Sequence, residues 1–273
     1  MNRTVAIAAM VVLAICLILT GVVCQKKRSA SKPPQASVEA GAKSIYKTAL
    51  SLQSEGNLQE AAKTYEELIK QFPDFNQISE AEKRLWNANV KILFSPVVTD
   101  KDIRYKVEPG DTLGKIAARG NTTVDLIKRS NNLESDLIRP GQRLKISTAR
   151  YSVIVDKSQN SLALKADDRI FKVYSVATGE YNSTPVGTFT IVEKLINPDW
   201  YKSGAGAISA ASPENILGTR WLGLSEPDYG IHGGASEKDL NIQVTNGCIR
   251  MTNTDVEELF AILPRGTEVT IVD

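Results

Sequence analysis

The 273-residue chain contains one histidine, His232, and only one of its three cysteines, Cys248, lies outside an apolar leader. They sit in Tyr229-Gly-Ile-His-Gly-Gly and Thr245-Asn-Gly-Cys-Ile-Arg-Met. A thiol is a strong nucleophile only as thiolate, and a free cysteine is little ionised at neutral pH. A neighbouring imidazole can take its proton and hold the pair ready. Cys–His chemistry in this chain therefore has one candidate base and one candidate nucleophile, the pattern of a cysteine acyltransferase or hydrolase. The bland alternative for Cys248 is a small buried apolar residue. With one histidine, a His-based metal site is not indicated. No nucleotide motif is present and no cofactor is expected. A net charge of +2 leaves no nucleic-acid footprint.

The elements that must position this pair begin far upstream. The length predicts about two domains. Val5 to Val23 is uncharged and almost wholly apolar, and as a helix it spans roughly 28 Å, close to the thickness of a bilayer core. No small-x-small cleavage site follows Val23, so residues 1–28 are read as an uncleaved signal anchor, with a cleaved signal peptide as the competitor. Lys26, Lys27, Arg28 and Lys32 after the apolar stretch bias the rest of the chain toward the cytoplasm, which conflicts with export. Residues 29–37, rich in Lys, Ser and Pro, read as a linker.

Residues 38–98 carry apolar side chains at three- and four-residue spacing, including Ala49, Leu52, Ala61, Ala62, Tyr65 and Leu68. Gly56-Asn57 breaks the pattern and Pro73 ends it, and a further helix is expected over Gln77 to Phe94. With Ala61, Tyr65 and Pro73 at its usual offsets, this stretch resembles one tetratricopeptide repeat. It reads either as a helical spacer or as a surface for a protein partner.

Residues 103–148 read as strand, helix, helix, strand. Glu108-Pro-Gly-Asp-Thr is a turn capping the first helix at Asp111 or Thr112, and Thr122-Thr-Val-Asp-Leu-Ile opens the second. Tyr105-x-Val-x-Pro-Gly-Asp-Thr-Leu, Ile116-Ala, Leu126-x-x-x-Asn131 and Leu137-Ile-x-Pro-Gly-x-x-Leu together resemble the LysM domain. That resemblance implies binding to N-acetylglucosamine-containing glycans. The alternative is a spacer that has lost its sugar groove.

Residues 150–273 turn to strands at Tyr151–Val155, Ser161–Leu164, Phe171–Val176, Gly187–Val192 and Glu268–Val272. The Gly-, Ala-, Ser- and Pro-rich stretch Asn197–Gly218 reads as a lid over the site. A short helix from Asn253 is expected to be capped at Asn253 or Thr254. Thr184-Pro-Val-Gly-Thr-Phe, Leu217-Gly-Thr-Arg-Trp-Leu-Gly-Leu, Tyr229-Gly-Ile-His-Gly, Asn246-Gly-Cys-Ile-Arg-Met and Asn253-x-Asp-Val-Glu-Glu-Leu make this region resemble a YkuD-type L,D-transpeptidase catalytic domain.

The resemblance implies a thioester route on peptidoglycan stem peptides, with Cys248 as nucleophile and His232 as general base and acid. Gly247 and Cys248 N–H groups would hold the oxyanion, and the Gly233 carbonyl would fix the imidazole tautomer. Arg250 reads either as a carboxylate-binding residue or as a structural ion pair. Asn246 and Thr245 shape the loop, and with Tyr229 they complete the expected substrate-binding set. The family pattern is commonly Ser-His-Gly-Cys, whereas this chain has Thr245-Asn246-Gly247-Cys248. Proton transfer by imidazole therefore falls to His232 alone. Hydrolysis of the same acyl-enzyme, as in an L,D-carboxypeptidase, and a non-catalytic wall-binding scaffold are the competing readings. The expected whole is a multidomain α+β protein of the bacterial envelope. It has an N-terminal transmembrane helix that anchors it to the membrane, a helical region, a βααβ module and a sandwich-like β-rich catalytic domain outside the cytoplasm. Its partners would be stem peptides and glycan strands.

Overall fold

The computed structural model describes residues 35–202 and 206–273. The apolar leader and most of the linker lie outside the described residues. Among those described, no helix is long and apolar enough to cross a membrane.

Three helices open the described chain: α1 (Gln35–Ser54), α2 (Leu58–Gln71) and α3 (Ile78–Leu93). The break at Gly56-Asn57 follows from a positive φ at Gly56, a backbone state glycine enters without a Cβ clash. Ala49, Ala61, Tyr65, Leu68, Ala81 and Leu85 close a small core between the helices. The small residues bring the axes together and Tyr65 fills the centre, its hydroxyl donating to Gln53.

A βααβ module follows: β1 (Asp102–Lys106), α4 (Leu113–Arg119), α5 (Val124–Ser130) and β2 (Arg143–Ser147), with β1 and β2 antiparallel. Thr112 and Thr123 cap the two helices by accepting from the N–H groups of Lys115 and Leu126. Asp111 does not cap. Its carboxylate instead accepts from the Tyr105 hydroxyl, the Glu108 N–H and Arg119, locking the Pro-Gly turn against β1.

The C-terminal domain is built on one mixed sheet. Its strands are β3 (Tyr151–Asp156), β4 (Ser161–Ala166), β5 (Arg169–Ser175), β7 (Gly187–Ile196), β10 (Arg220–Leu224), β11 (Gly230–Ala235), β13 (Ile249–Thr252) and β14 (Glu268–Val272), in the order β13-β11-β10-β7-β14-β3-β4-β5. Two-stranded pairs flank it: β6 (Thr178–Gly179) with β12 (Gln243–Thr245), and β8 (Trp200–Lys202) with β9 (Gly206–Ile208). The eight strands fall into two sets, β13-β11-β10 and β14-β3-β4-β5, joined through one shared strand. That strand is β7, ten residues long: Gly187–Thr190 pairs with β14 while Ile191–Ile196 pairs with β10.

Helix α6 (Asn253–Ile262) covers the apolar face, where Leu222, Ile231, Ile249 and Met251 meet Val256, Leu259 and Phe260. Its cap is Thr252, one residue earlier than expected, accepting from the Asp255 N–H at 3.1 Å. Asn253 is thereby released for another task at the site.

The helical region and the module both dock on the C-terminal domain. Asn89 on α3 donates to the Phe171 carbonyl of β5 at 3.1 Å, and Arg169 pairs with Glu66 at 2.6 Å. Thr123 donates to the Ala261 carbonyl at the end of α6. Lys145 of β2, with only 2% of its side chain exposed, donates to the Ile92, Leu93 and Ser95 carbonyls at 2.9, 3.3 and 3.0 Å. An ammonium at a helix C-terminus meets both the orphan carbonyls and the negative end of the helix dipole. The helical region thus has a partner within the chain, because α3 lies on the edge strand β5.

Candidate functional site

Strands β11 and β13 run parallel and adjacent, with Ile231 opposite Ile249 and His232 opposite Arg250. This pairing places Cys248, the residue before β13, beside the segment that carries His232. The two residues that looked distant along the chain are brought together by one parallel strand pair. Side chains alternate across a strand, so Ile231, Ile249 and Met251 turn to α6 while His232 lies on the opposite face.

His232 is buried, with 2% of its surface exposed. Its Nδ1 lies 2.8 Å from the Gly233 carbonyl. A carbonyl only accepts, so Nδ1 carries the proton and Nε2 is the free basic nitrogen. Burial, with a smaller contribution from the Arg250 guanidinium, lowers the imidazole pKa to about 4, and the bond to Gly233 offsets part of this. The backbone around the histidine is held by Asn253. Its Oδ1 accepts from Gly234 N–H at 3.0 Å and from Thr219 N–H at 3.1 Å, tying the end of the Asn197–Gly218 stretch to β11. Sequence reasoning treated Asn253 only as a cap. The signal that pointed further was its place directly after Cys-Ile-Arg-Met-Thr.

Cys248 is half-buried, and its thiol donates to the Asp228 carbonyl at 3.6 Å. Burial pushes its pKa up, an effect the Gly230 N–H partly counters. A raised thiol beside a lowered imidazole is a neutral pair at rest, not a preformed thiolate–imidazolium.

The Cys loop is knitted by Thr245. Its hydroxyl donates to the Cys248 carbonyl at 2.6 Å and accepts from Gly247 N–H at 3.2 Å. Gly247 sits at φ +127, and a Cβ there would stand 2.5 Å from Tyr229 Cε1. Only glycine lets Tyr229 pack flat against this loop. Asn246 is exposed and its side chain has no hydrogen-bond partner among the described residues. Arg250 makes no ion pair within 4 Å among the described residues, and its buried Nε has no hydrogen-bond acceptor. The Arg250 charge does reach one carboxylate, helping to lower the Asp239 pKa, but not at ion-pair distance.

The Asn197–Gly218 stretch, expected as an irregular lid, contains the β8–β9 hairpin. Asn215 fastens it by donating to the Pro198 and Ile208 carbonyls.

This geometry has relatives. Residues 150–271 match the family model described as the L,D-transpeptidase catalytic domain, and residues 105–147 match the LysM domain. The YqjB protein of Bacillus subtilis, which carries the L,D-transpeptidase name, is 43% identical over 127 residues, covering 44% of this chain and 70% of that protein. The YkuD protein of Bacillus licheniformis, which carries the same name, is 36% identical over 177 residues, covering 62% of this chain and 98% of that protein.

Proposed function

Because the chain belongs to the L,D-transpeptidase family of the YkuD type, we propose that it crosslinks peptidoglycan stem peptides through a thioester on Cys248. The observation that carries this reading is the tautomer of His232. With Nδ1 committed to the Gly233 carbonyl, Nε2 is left basic on the strand that pairs with the one following Cys248.

Cys248 Sγ attacks a carbonyl of the donor stem while His232 Nε2 takes the thiol proton. The tetrahedral oxyanion is met by the Cys248 N–H and by the Gly247 N–H, whose long bond to Thr245 is exchanged for it. The C–N bond breaks and His232 returns the proton to the departing amine, leaving a thioester. An amine from a second stem attacks the thioester, His232 accepts its proton, and Cys248 is released and reprotonated. Arg250, whose Nε has no hydrogen-bond acceptor, binds a stem carboxylate. Tyr229, Thr245 and Asn246 shape the pocket around the thiol. The division of labour follows the domains: residues 38–98 act as a helical spacer, 103–148 hold glycan strands and 150–273 perform the transfer. The LysM match and the catalytic-domain match both support a substrate in the cell wall of the bacterial envelope.

The test is mass spectrometry of muropeptides after incubation of stem-bearing fragments with the full chain. Crosslinked dimers support transpeptidation. Trimmed monomers alone identify an L,D-carboxypeptidase, a reading favoured by the access water has to a half-exposed Cys248. Product formation unchanged in Cys248→Ala or His232→Ala sinks the assignment of roles.

A further inference from the structure

The face of the sheet that carries His232 also carries Trp221, directly opposite it on β10. The two rings are stacked, with centroids 6.0 Å apart and planes 25° from parallel. The indole lies flat because two glycines make room for it. A Cβ on Gly223 would stand 2.8 Å from Trp221 Nε1, and a Cβ on Gly230 would stand 2.6 Å from the six-membered ring. Gly223 and Gly230 are themselves opposite each other in the β10–β11 register, with Glu193 opposite Gly223 on β7. The Nε1–H donates to Glu193 Oε2 at 3.2 Å. One end of the indole is thus tied to a carboxylate, its body fills a trough floored by glycine, and it stacks on the imidazole. Gly230, under the six-membered ring, is also the residue whose N–H supports the Cys248 thiol.

We propose that Trp221 is a positioning residue for His232, held by Glu193, that fixes the imidazole plane and keeps water from that side of the ring. This rests on the reading of His232 as the general base. The physical case is the geometry of the trough. An imidazole held only by backbone groups, Gly233 foremost and Leu217 second, can still tilt, and a tilt re-aims Nε2. The indole stacked on that ring limits the tilt, and its bond to Glu193 restrains the indole from rotating out. The charged and titratable groups around His232 are Arg250 on β13, the Cys248 thiol before it, and Glu193 on β7 beyond the indole. Trp221 separates the last of these from the imidazole, so its removal also exposes the ring to a carboxylate.

The chain's single histidine makes the test direct, because its imidazole gives one set of resonances by nuclear magnetic resonance. His232 is titrated in the full chain, in Trp221→Phe and in Trp221→Ala, alongside steady-state kinetics and a thermal melt. In folded Trp221→Ala, the imidazole is expected to titrate at least one pH unit higher than in the parent, toward its ordinary value of about 6.5. kcat is expected to fall about 10- to 100-fold with KM changed less than about threefold. Trp221→Phe keeps a flat ring without the Nε1 tie and falls between the two. Glu193→Ala reproduces the Trp221→Phe effect. If Trp221→Ala does not fold, Trp221→Leu, which retains bulk without a flat ring, is held to the same outcomes. An unchanged His232 titration together with kcat within about twofold of the parent, in either folded variant, overturns the proposal. The titration is read independently of turnover, so it can fail while His232 stands as the base. Conversely, full activity in His232→Ala would refute the base without touching the stacking.

Discussion

The two ends of the eight-stranded sheet are built from opposite materials. At the β13-β11-β10 end, the site is made from backbone and small residues: the Gly233 carbonyl on His232, the glycine floor under Trp221, and the tight Thr245–Cys248 loop. At the β3-β4-β5 end, long charged side chains reach across to other regions. Arg169 pairs with Glu66 and Lys101 pairs with Asp167 at 2.8 Å, and in the module docked beside this end Lys145 of β2 caps α3. The difference follows from the tasks. Chemistry needs close approach and few alternative rotamers, so glycines and carbonyls serve it. Docking of one folded region on another has to satisfy polar groups at the end of a helix, and a lysine has the length and the donors to do so.

The comparison predicts that lesions at the site end stop turnover without unfolding the chain, while lesions at the docked end do the reverse. The largest effect is expected for Cys248→Ala and His232→Ala, each lowering crosslinking by at least about 10³-fold with the melting temperature little changed. Gly247→Ala comes next. The new methyl must push Tyr229 or the Cys loop aside, and a displacement near 1 Å is expected to lower kcat about 10²-fold. At the other end, Lys145→Met leaves three α3-terminal carbonyls and Asp102 without their buried cation. It is expected to destabilise the chain by about 3 kcal/mol in denaturant titration while kcat of the folded fraction stays within about twofold. If Lys145→Met lowers kcat as strongly as Gly247→Ala, the two ends are not independent.

A pH series sharpens the same contrast. Unfolded, His232 takes up its proton near pH 6.5, whereas folded it does so only at about 4. Below 6.5 the unfolded state therefore binds more protons. The stability tied to keeping His232 neutral is fully present above that pH and is lost as pH falls toward 4. The acid limb of kcat/KM is expected at about 4, well below an ordinary histidine. Alkylation of Cys248 in the free enzyme should climb without a neutral-pH plateau, because the resting thiol is protonated. A plateau below pH 7 would refute the neutral pair. The smallest effect is expected from Thr123→Val. It removes an N-cap and the bond to Ala261, lowering stability by about 1–2 kcal/mol with turnover unchanged.

Legibility in the sequence tracked the range of the contacts involved. The LysM module was readable because its devices are local: Thr112 and Thr123 cap the helices that begin next to them, and the Pro-Gly turn closes on Tyr105 within a few residues. The strands that carry the site were not read as strands. Arg220–Leu224 and Gly230–Ala235 each contain glycine, which carries no β signal, and Gly223 on the indole's own strand and Gly230 on its neighbour make room for Trp221. The buried lysines were equally invisible. Lys145, Lys157 and Lys194 look like surface residues in sequence. Lys194 ends under α6 with its ammonium on the Phe260 and Leu263 carbonyls and its pKa lowered by burial to about 8. Lys157 holds the Thr184 carbonyl at 2.8 Å and pairs with Asp273.

By itself the sequence determined which groups are available for chemistry. One imidazole and one thiol outside the leader, each in a glycine-bearing motif, made cysteine acyl transfer or hydrolysis the first hypothesis, with one candidate base and one candidate nucleophile. Tertiary structure decided how the pair is poised. The parallel pairing of β11 with β13 set Cys248 beside the His232 segment, the Gly233 carbonyl chose the tautomer, and burial left both groups neutral at rest. Those properties depend on which backbone atoms lie within about 3 Å of a ring and how much water reaches it. They arise only when strands distant in the chain are laid side by side.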